Sequence, residues 1–295
     1  MPKKLILIYF GLTGAMLFWA VTFIWVRQIT DTGLSPNLLI GFRLCVAASV
    51  MLLIFLSIPK SKRIQKKHIP IVMLMALFEP FLYYIGETNG IKRVSPTISA
   101  FIIATIPVFL PFIARFFIRE RLSRYNYLGF FLSFLGIIAI IFNRNGQLIS
   151  SVSGLAFLFI AVFSAIGYTI ISKKLLETYS PLLLVSMKNI IGAIYFIPVI
   201  LFFEVDNLIN YSFTPKVILY IILMATFGNF LAYFLLNIAI KHIGASKSSV
   251  FANLIPVFTI IFSFFILGEI LPLIKFIGVI LILFGIFVAQ LKVKR

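Results

Sequence analysis

The chain has 295 residues, of which 62% are hydrophobic and only 12% charged, about half the roughly 25% expected of a soluble domain. A mean hydropathy of +1.13 leaves too few polar residues to cover a soluble surface, which excludes a secreted domain, a cytosolic enzyme and a disordered protein. The 26 basic and 8 acidic residues give a net charge of +18, but the basic residues lie between apolar runs rather than along one face, so they indicate membrane topology and not nucleic acid.

The N-terminus places Lys3 and Lys4 before an apolar run over 5–26. The charge order is that of a signal peptide, but the apolar part is too long and no small-x-small site follows, so a retained first span is predicted. Further apolar segments follow at 35–58, 69–91, 96–118, 125–142, 152–171, 181–203, 216–240, 246–267 and 273–291. Each has the length a helix needs to cross ~30 Å of hydrocarbon. The spacing therefore predicts an all-α, multi-pass protein of the plasma (inner) membrane with ten transmembrane helices. Most connections are too short to hold a soluble domain, so consecutive helices are expected to run antiparallel.

Orientation follows from the basic residues. With the N-terminus in the cytoplasm, the outer loops receive Arg27, Lys92, Arg93, Arg144, Lys216 and Lys275. Arg43 and Lys188 lie within helices, and every other Lys and Arg falls on the inner side. That asymmetry predicts cytoplasmic N and C termini. The single cysteine, Cys45, excludes an internal disulfide, and the spacings of a structural zinc site are missing. His68 and His242 both sit beside basic loop residues, which argues against a triad or a haem or metal enzyme. The sequence also has no Walker A loop, so ATP hydrolysis is not expected. No cofactor is expected either.

A shift of 149 residues lays Ile106-Pro107-Val108-Phe109 on Ile255-Pro256-Val257-Phe258, and Glu120 on Glu269. The same shift lays Gly129 and Gly136 on Gly278 and Gly285, and Tyr84 on Tyr233. Nearer the start of each half, a shift of 145 lays Pro36 on Pro181 and Arg43 on Lys188. The chain reads as two homologous five-helix halves, 1–143 and 150–295. An odd helix count forces the second half to enter the membrane inverted, which is the inverted-repeat plan of secondary transporters.

These residues, with Trp19-Ala20, Arg119-Glu120-Arg121-Leu122 and Gly268-Glu269, resemble the drug/metabolite transporter superfamily in its ten-helix form with two EamA-type repeats. The resemblance spans nearly the whole chain. It implies a central cavity lined by helices one, three, four, six, eight and nine, with helices five and ten peripheral. It also implies transport of small metabolites by alternating access.

Ionisable groups deep in a membrane helix are costly and are functional candidates by default. Glu79, Tyr83 and Glu87 stand at i, i+4 and i+8, on one face of a regular helix. That stripe suits a cationic or amino group of a substrate, or a transported proton. Glu87 is expected nearer the outer end, within reach of water. The plainer reading pairs one glutamate with Arg43 or Lys188 to fix helix packing. Helix eight repeats the spacing with Asn229, Tyr233 and Asn237, whose amides and phenol can line a polar cavity or join helices. Tyr84 and Tyr233 are expected to face each other across the pseudo-axis. Ser249, Asn253 and Trp19 are further candidates for the cavity wall. Pro80, Pro107 and Pro256 are candidate hinges or fixed kinks. Glu120 and Glu269 read as capping or loop-pairing groups.

The sequence thus points to a secondary transporter, not an enzyme, with a small-molecule substrate, the lipid bilayer as partner and protons as a possible coupling ion. Amino acids or related amino metabolites are the leading substrate class, and the resemblance implies their export rather than uptake. Sugars, nucleosides or drug-like cations are the alternative, and a membrane enzyme or structural subunit is a minor one. Oligomeric state is left open.

Overall fold

The computed structural model describes residues 3–59, 62–118, 124–141, 151–269 and 273–289. Glu120 with the rest of 119–123, and residues 142–150, lie outside the described residues.

The described residues are helical almost throughout: α1 (Lys3–Asp31), α2 (Pro36–Ser57), α3 (Lys66–Arg93), α4 (Pro96–Ile103, resuming at Ile106–Ile118) and α5 (Arg124–Ile141). The second half gives α6 (Val152–Leu175), α7 (Pro181–Phe203), α8 (Pro215–Ile243), α9 (the successive pieces Ala245–Ser249, Val250–Asn253, Leu254–Phe262 and Ser263–Leu267) and α10 (Leu273–Ala289). A short helix, Val205–Asn210, follows α7. Among the described residues seven helices are long and apolar enough to cross a membrane, and Tyr127–Ala139, Phe251–Leu267 and Phe276–Gly285 are shorter apolar stretches.

A recurring sequence device starts these helices. Ser35-Pro36, Ser95-Pro96, Ser180-Pro181 and Thr214-Pro215 each place a hydroxyl at the N-cap and a proline at the first helical position. Each hydroxyl accepts a hydrogen bond from the backbone N–H three residues on, and proline has no N–H to leave unpaired.

Two helices depart from regular geometry where the repeat aligns them. In α3 a π-helical turn spans Leu77–Leu82 just before Tyr83 and Tyr84; in α8 one spans Met224–Ala232 just before Tyr233. Glu79 is extended (φ −141°, ψ 114°), the conformation favoured before a proline, and its peptide bond to Pro80 is cis. The expectation of one continuous helix face through Glu79, Tyr83 and Glu87 therefore fails at its first member. The break at Glu79 turns its side chain independently of the helix beyond.

Helices α5 and α10 pack through small residues. A Cβ added at Gly136 would collide with the Gly278 carbonyl and with Ile282. One added at Gly285 would collide with the Gly129 carbonyl and with Ser133. Under the 149-residue shift these two contact sets are the same set. Backbones this close need glycine, as at other tight membrane helix crossings. Replacing Gly136 by Ala is expected to lower stability by about 1–3 kcal/mol through overpacking. Gly14→Ala, which meets nothing within 4 Å, is expected to be neutral or up to ~1 kcal/mol stabilising. Thermal unfolding of the two variants in one detergent checks the contrast.

Candidate functional site

Four ionisable residues are buried together in the helix core: Arg43 on α2, Glu79 and Glu87 on α3, and Lys188 on α7, all 3% exposed or less. They form two tiers.

In the first tier the Lys188 Nζ donates to Glu79 Oε1 at 3.1 Å. The same ammonium lies over the Tyr233 ring, 3.1 Å from its centroid, and 5.3 Å from that of Tyr168. The Tyr168 hydroxyl is locked to Asn237, which donates to it through Nδ2 at 2.9 Å. Trp19 meets Tyr233 edge-on at 4.8 Å and donates from its indole to the Gly228 carbonyl at 3.3 Å.

In the second tier Arg43 donates from Nε and Nη2 to Asn229 Oδ1 at 3.0 and 2.8 Å. The Tyr84 hydroxyl donates to the same oxygen at 2.9 Å, and the guanidinium stacks 3.9 Å from the Tyr84 ring centroid. Three donors on one atom fix which end of the amide is oxygen. Glu87 supplies the counter-charge, 3.6 Å from Nη1. Asn189 links the tiers by donating to the Asn229 carbonyl at 3.2 Å. The Gly228 and Asn229 carbonyls belong to the π-helical turn of α8, where the ladder is locally disrupted and carbonyls are freed for side-chain donors.

A cavity with about 80 Å³ of room for water centres opens beside the first tier. By that measure a single water needs only ~10–15 Å³, so the space holds several waters or a small metabolite. Glu79, Tyr83, Trp19, Tyr168 and Tyr233 line one end, and Ser248 and Ser249 line the end at the α8–α9 connection. Most of the remaining wall is aliphatic. Glu79 Oε2 is buried and accepts no hydrogen bond among the described residues.

The structure sorts the residues singled out from the sequence. Glu79, Tyr83, Tyr233, Trp19 and Ser249 line the cavity, so each of the two stripes is only partly represented there. Asn229, Asn237, Tyr84 and Glu87 do not line it; they hold other side chains or lie in the second tier. Glu87 is not solvated as expected from its position, because Arg43 and the surrounding helices bury it to 3% exposure. Both glutamates are paired, where the sequence suggested one. The rings of Tyr84 and Tyr233 do not stack on each other: Tyr84 meets Tyr83, whereas Tyr233 meets Trp19 and Tyr168. Asn253 is half-buried and away from the cavity wall. Pro107 and Pro256 each sit in the first turn of a resumed helix, after the Ala104–Thr105 break in α4 and after the 3-10 turn Val250–Asn253 in α9. Glu269 accepts a hydrogen bond from Thr97 at 2.8 Å, in keeping with loop pairing.

Sequence reasoning missed Tyr168, Thr169 and Asn189. The first two follow Gly167 as a polar pair in the middle of the largely apolar α6, a signal that was readable. Asn189 adjoins Lys188 and was hidden by it.

A family model described as the EamA-like transporter family matches residues 6–142 and again 152–290. An uncharacterized transporter of Bacillus subtilis, YyaM, is 28% identical over 288 residues, covering 96% of this chain and 93% of that one. An uncharacterized transporter of Archaeoglobus fulgidus is 26% identical, covering 93% of this chain and 95% of its own length. A solved crystal structure aligns with a TM-score of 0.67 over 95% of both chains at 16% identity, a likeness of fold alone. Matched in both halves, the chain belongs to the EamA-like transporter family, a branch of the drug/metabolite transporter superfamily, and is a multi-pass membrane protein.

Proposed function

We propose that this protein is a secondary transporter that exports amino acids or related amino metabolites by alternating access. The observation that carries the reading is Glu79: a buried carboxylate on the cavity wall, with one oxygen held by Lys188 and the other without a donor among the described residues. An ammonium entering the cavity finds there a charged acceptor, aromatic faces and hydroxyls, with aliphatic wall for the rest of the molecule. The 80 Å³ space favours a small metabolite over a bulky drug.

Ten crossings in two inverted halves give this chemistry its mechanism. Two matches to one family model and the reciprocal glycine contacts of α5 and α10 support that plan. With the basic loops cytoplasmic, the cavity reaches the cytoplasmic end through Ser248 and Ser249, and the Arg43 tier lies on the outer side of it. Further ties join the outer helix ends: Asn37 to Glu204 at 2.8 Å, Thr97 to Glu269, and Thr32 to Tyr211. The inner ends are tied as well, Tyr179 to His68 at 2.6 Å and to the Gln65 N–H at 3.2 Å. Rocking of one half against the other, about the matched prolines, exposes the cavity to the opposite side. The proton gradient or the substrate gradient supplies the energy.

Two outcomes are expected. Glu79→Gln abolishes the thermal stabilisation that an amino-acid panel gives the detergent-purified protein, and abolishes efflux from proteoliposomes, while membrane insertion is unchanged. Retained stabilisation and efflux in that variant would sink the role of Glu79. Arg43→Met leaves Glu87 as an unpaired buried charge and costs about 3–5 kcal/mol. The double variant Arg43→Met, Glu87→Gln removes both charges and recovers most of that loss, a coupling that a double-mutant unfolding cycle reads directly.

A further inference from the structure

We propose that the Lys188 ammonium is a tethered occupant of a binding box for primary organic ammonium ions, and that a substrate amine competes with it for Glu79. The inference rests on the reading of Glu79 as the substrate acceptor and assigns Lys188 a function within the same site.

The box has the chemistry of a cation receptor. It offers one carboxylate oxygen at 3.1 Å, the face of Tyr233 at 3.1 Å and the ring of Tyr168 at 5.3 Å. Glu79, Tyr168 and Tyr233 also line the cavity, so the receptor groups are shared between the lysine and whatever enters. Of the two carboxylate oxygens, Oε1 is bound to Lys188 and Oε2 has no donor among the described residues.

Charge balance sets the consequence. The two glutamates and two cations of the core sum to zero, and burial removes the water that would screen an excess. A second ammonium bound at Glu79 would stand beside the Lys188 ammonium, two like charges on one carboxylate in the desolvated core. Lys188 must then swing its charge away from Glu79. Its anchoring allows this: among the described residues its only hydrogen-bond acceptor is Glu79 Oε1, and it sits on a flexible four-carbon stem. The repeat-related Arg43 is held quite differently, by two bonds to Asn229, a stacked Tyr84 and Glu87. A planar fork with several partners is a fixture, whereas a point charge with one acceptor is exchangeable. Lys188 thus restores neutrality whenever the site is empty, and no external cation has to fill the box.

The test uses chemical rescue. Lys188→Ala removes the tethered ammonium and leaves its place open. Ethylammonium chloride, the probe, is expected to raise the apparent unfolding temperature of this variant in a dose-dependent way, by about 2–4 °C at saturation, beyond equal concentrations of sodium chloride. Wild type, whose box is filled, is expected to shift much less. The double variant Glu79→Gln, Lys188→Ala is expected not to respond. If Lys188→Ala aggregates without ligand, the same comparison is read as recovery of monodisperse protein when ethylammonium is present during extraction. Rescue that depends on Glu79 and exceeds the salt control supports the proposal. Equal response to sodium chloride, equal response in the double variant, or no response in Lys188→Ala each overturns it. Failure of the amino-acid panel on wild type would count against the transport reading separately, since the rescue needs only the box.

Discussion

Charge neutrality in a core without water is the constraint on which the rest of this structure depends. An isolated buried ion is costly by several kcal/mol even after the surroundings relax, and membrane helices offer no solvent to relieve it. Two carboxylates therefore fix where two cations must be. Arg43 and Lys188 come from α2 and α7, and both acids come from α3, so the pairs bind three helices into one unit. Such pairs stabilise little against an apolar core of the same volume. What they impose is register: α3 cannot slide against α2 or α7 without separating charges.

Irregular backbone makes the arrangement possible. The π-helical turn of α8 supplies free carbonyls to Trp19 and Asn189, and the extended Glu79 lets one carboxylate leave the helix face for Lys188. Such backbone is tolerated at membrane depth where protein surrounds it or a cavity takes it up. Both conditions hold here, since Glu79 is at once buried and on the cavity wall. The two irregular turns lie at positions that the repeat aligns, although the residues within them, Glu79-Pro80 and Gly228-Asn229, differ.

Much of this was legible in the sequence, for physical reasons. Helix identity followed from apolar length, because lipid demands it, and the importance of Glu79, Arg43, Lys188 and Tyr233 followed from the cost of polar groups in such helices. Partner choice was not legible. That Arg43 pairs with Glu87 and Lys188 with Glu79 depends on how helices distant in sequence are rotated, and side-chain spacing along one helix carries no such information. The exposure of Glu87 was misjudged because depth along a helix was taken for access to water, whereas Arg43 and the neighbouring helices seal it off. The missed Tyr168 shows the opposite case: its polarity within an apolar helix was visible, but its role came only from the lysine above it.

The seam between α5 and α10 has a further property. Gly129, Ser133 and Gly136 on one side meet Gly285, Ile282 and Gly278 on the other in reversed order, so the contact is self-complementary. Each half of the chain carries both surfaces of that joint. A single five-helix unit inserted in two opposite orientations would find its own copy a fitting partner there.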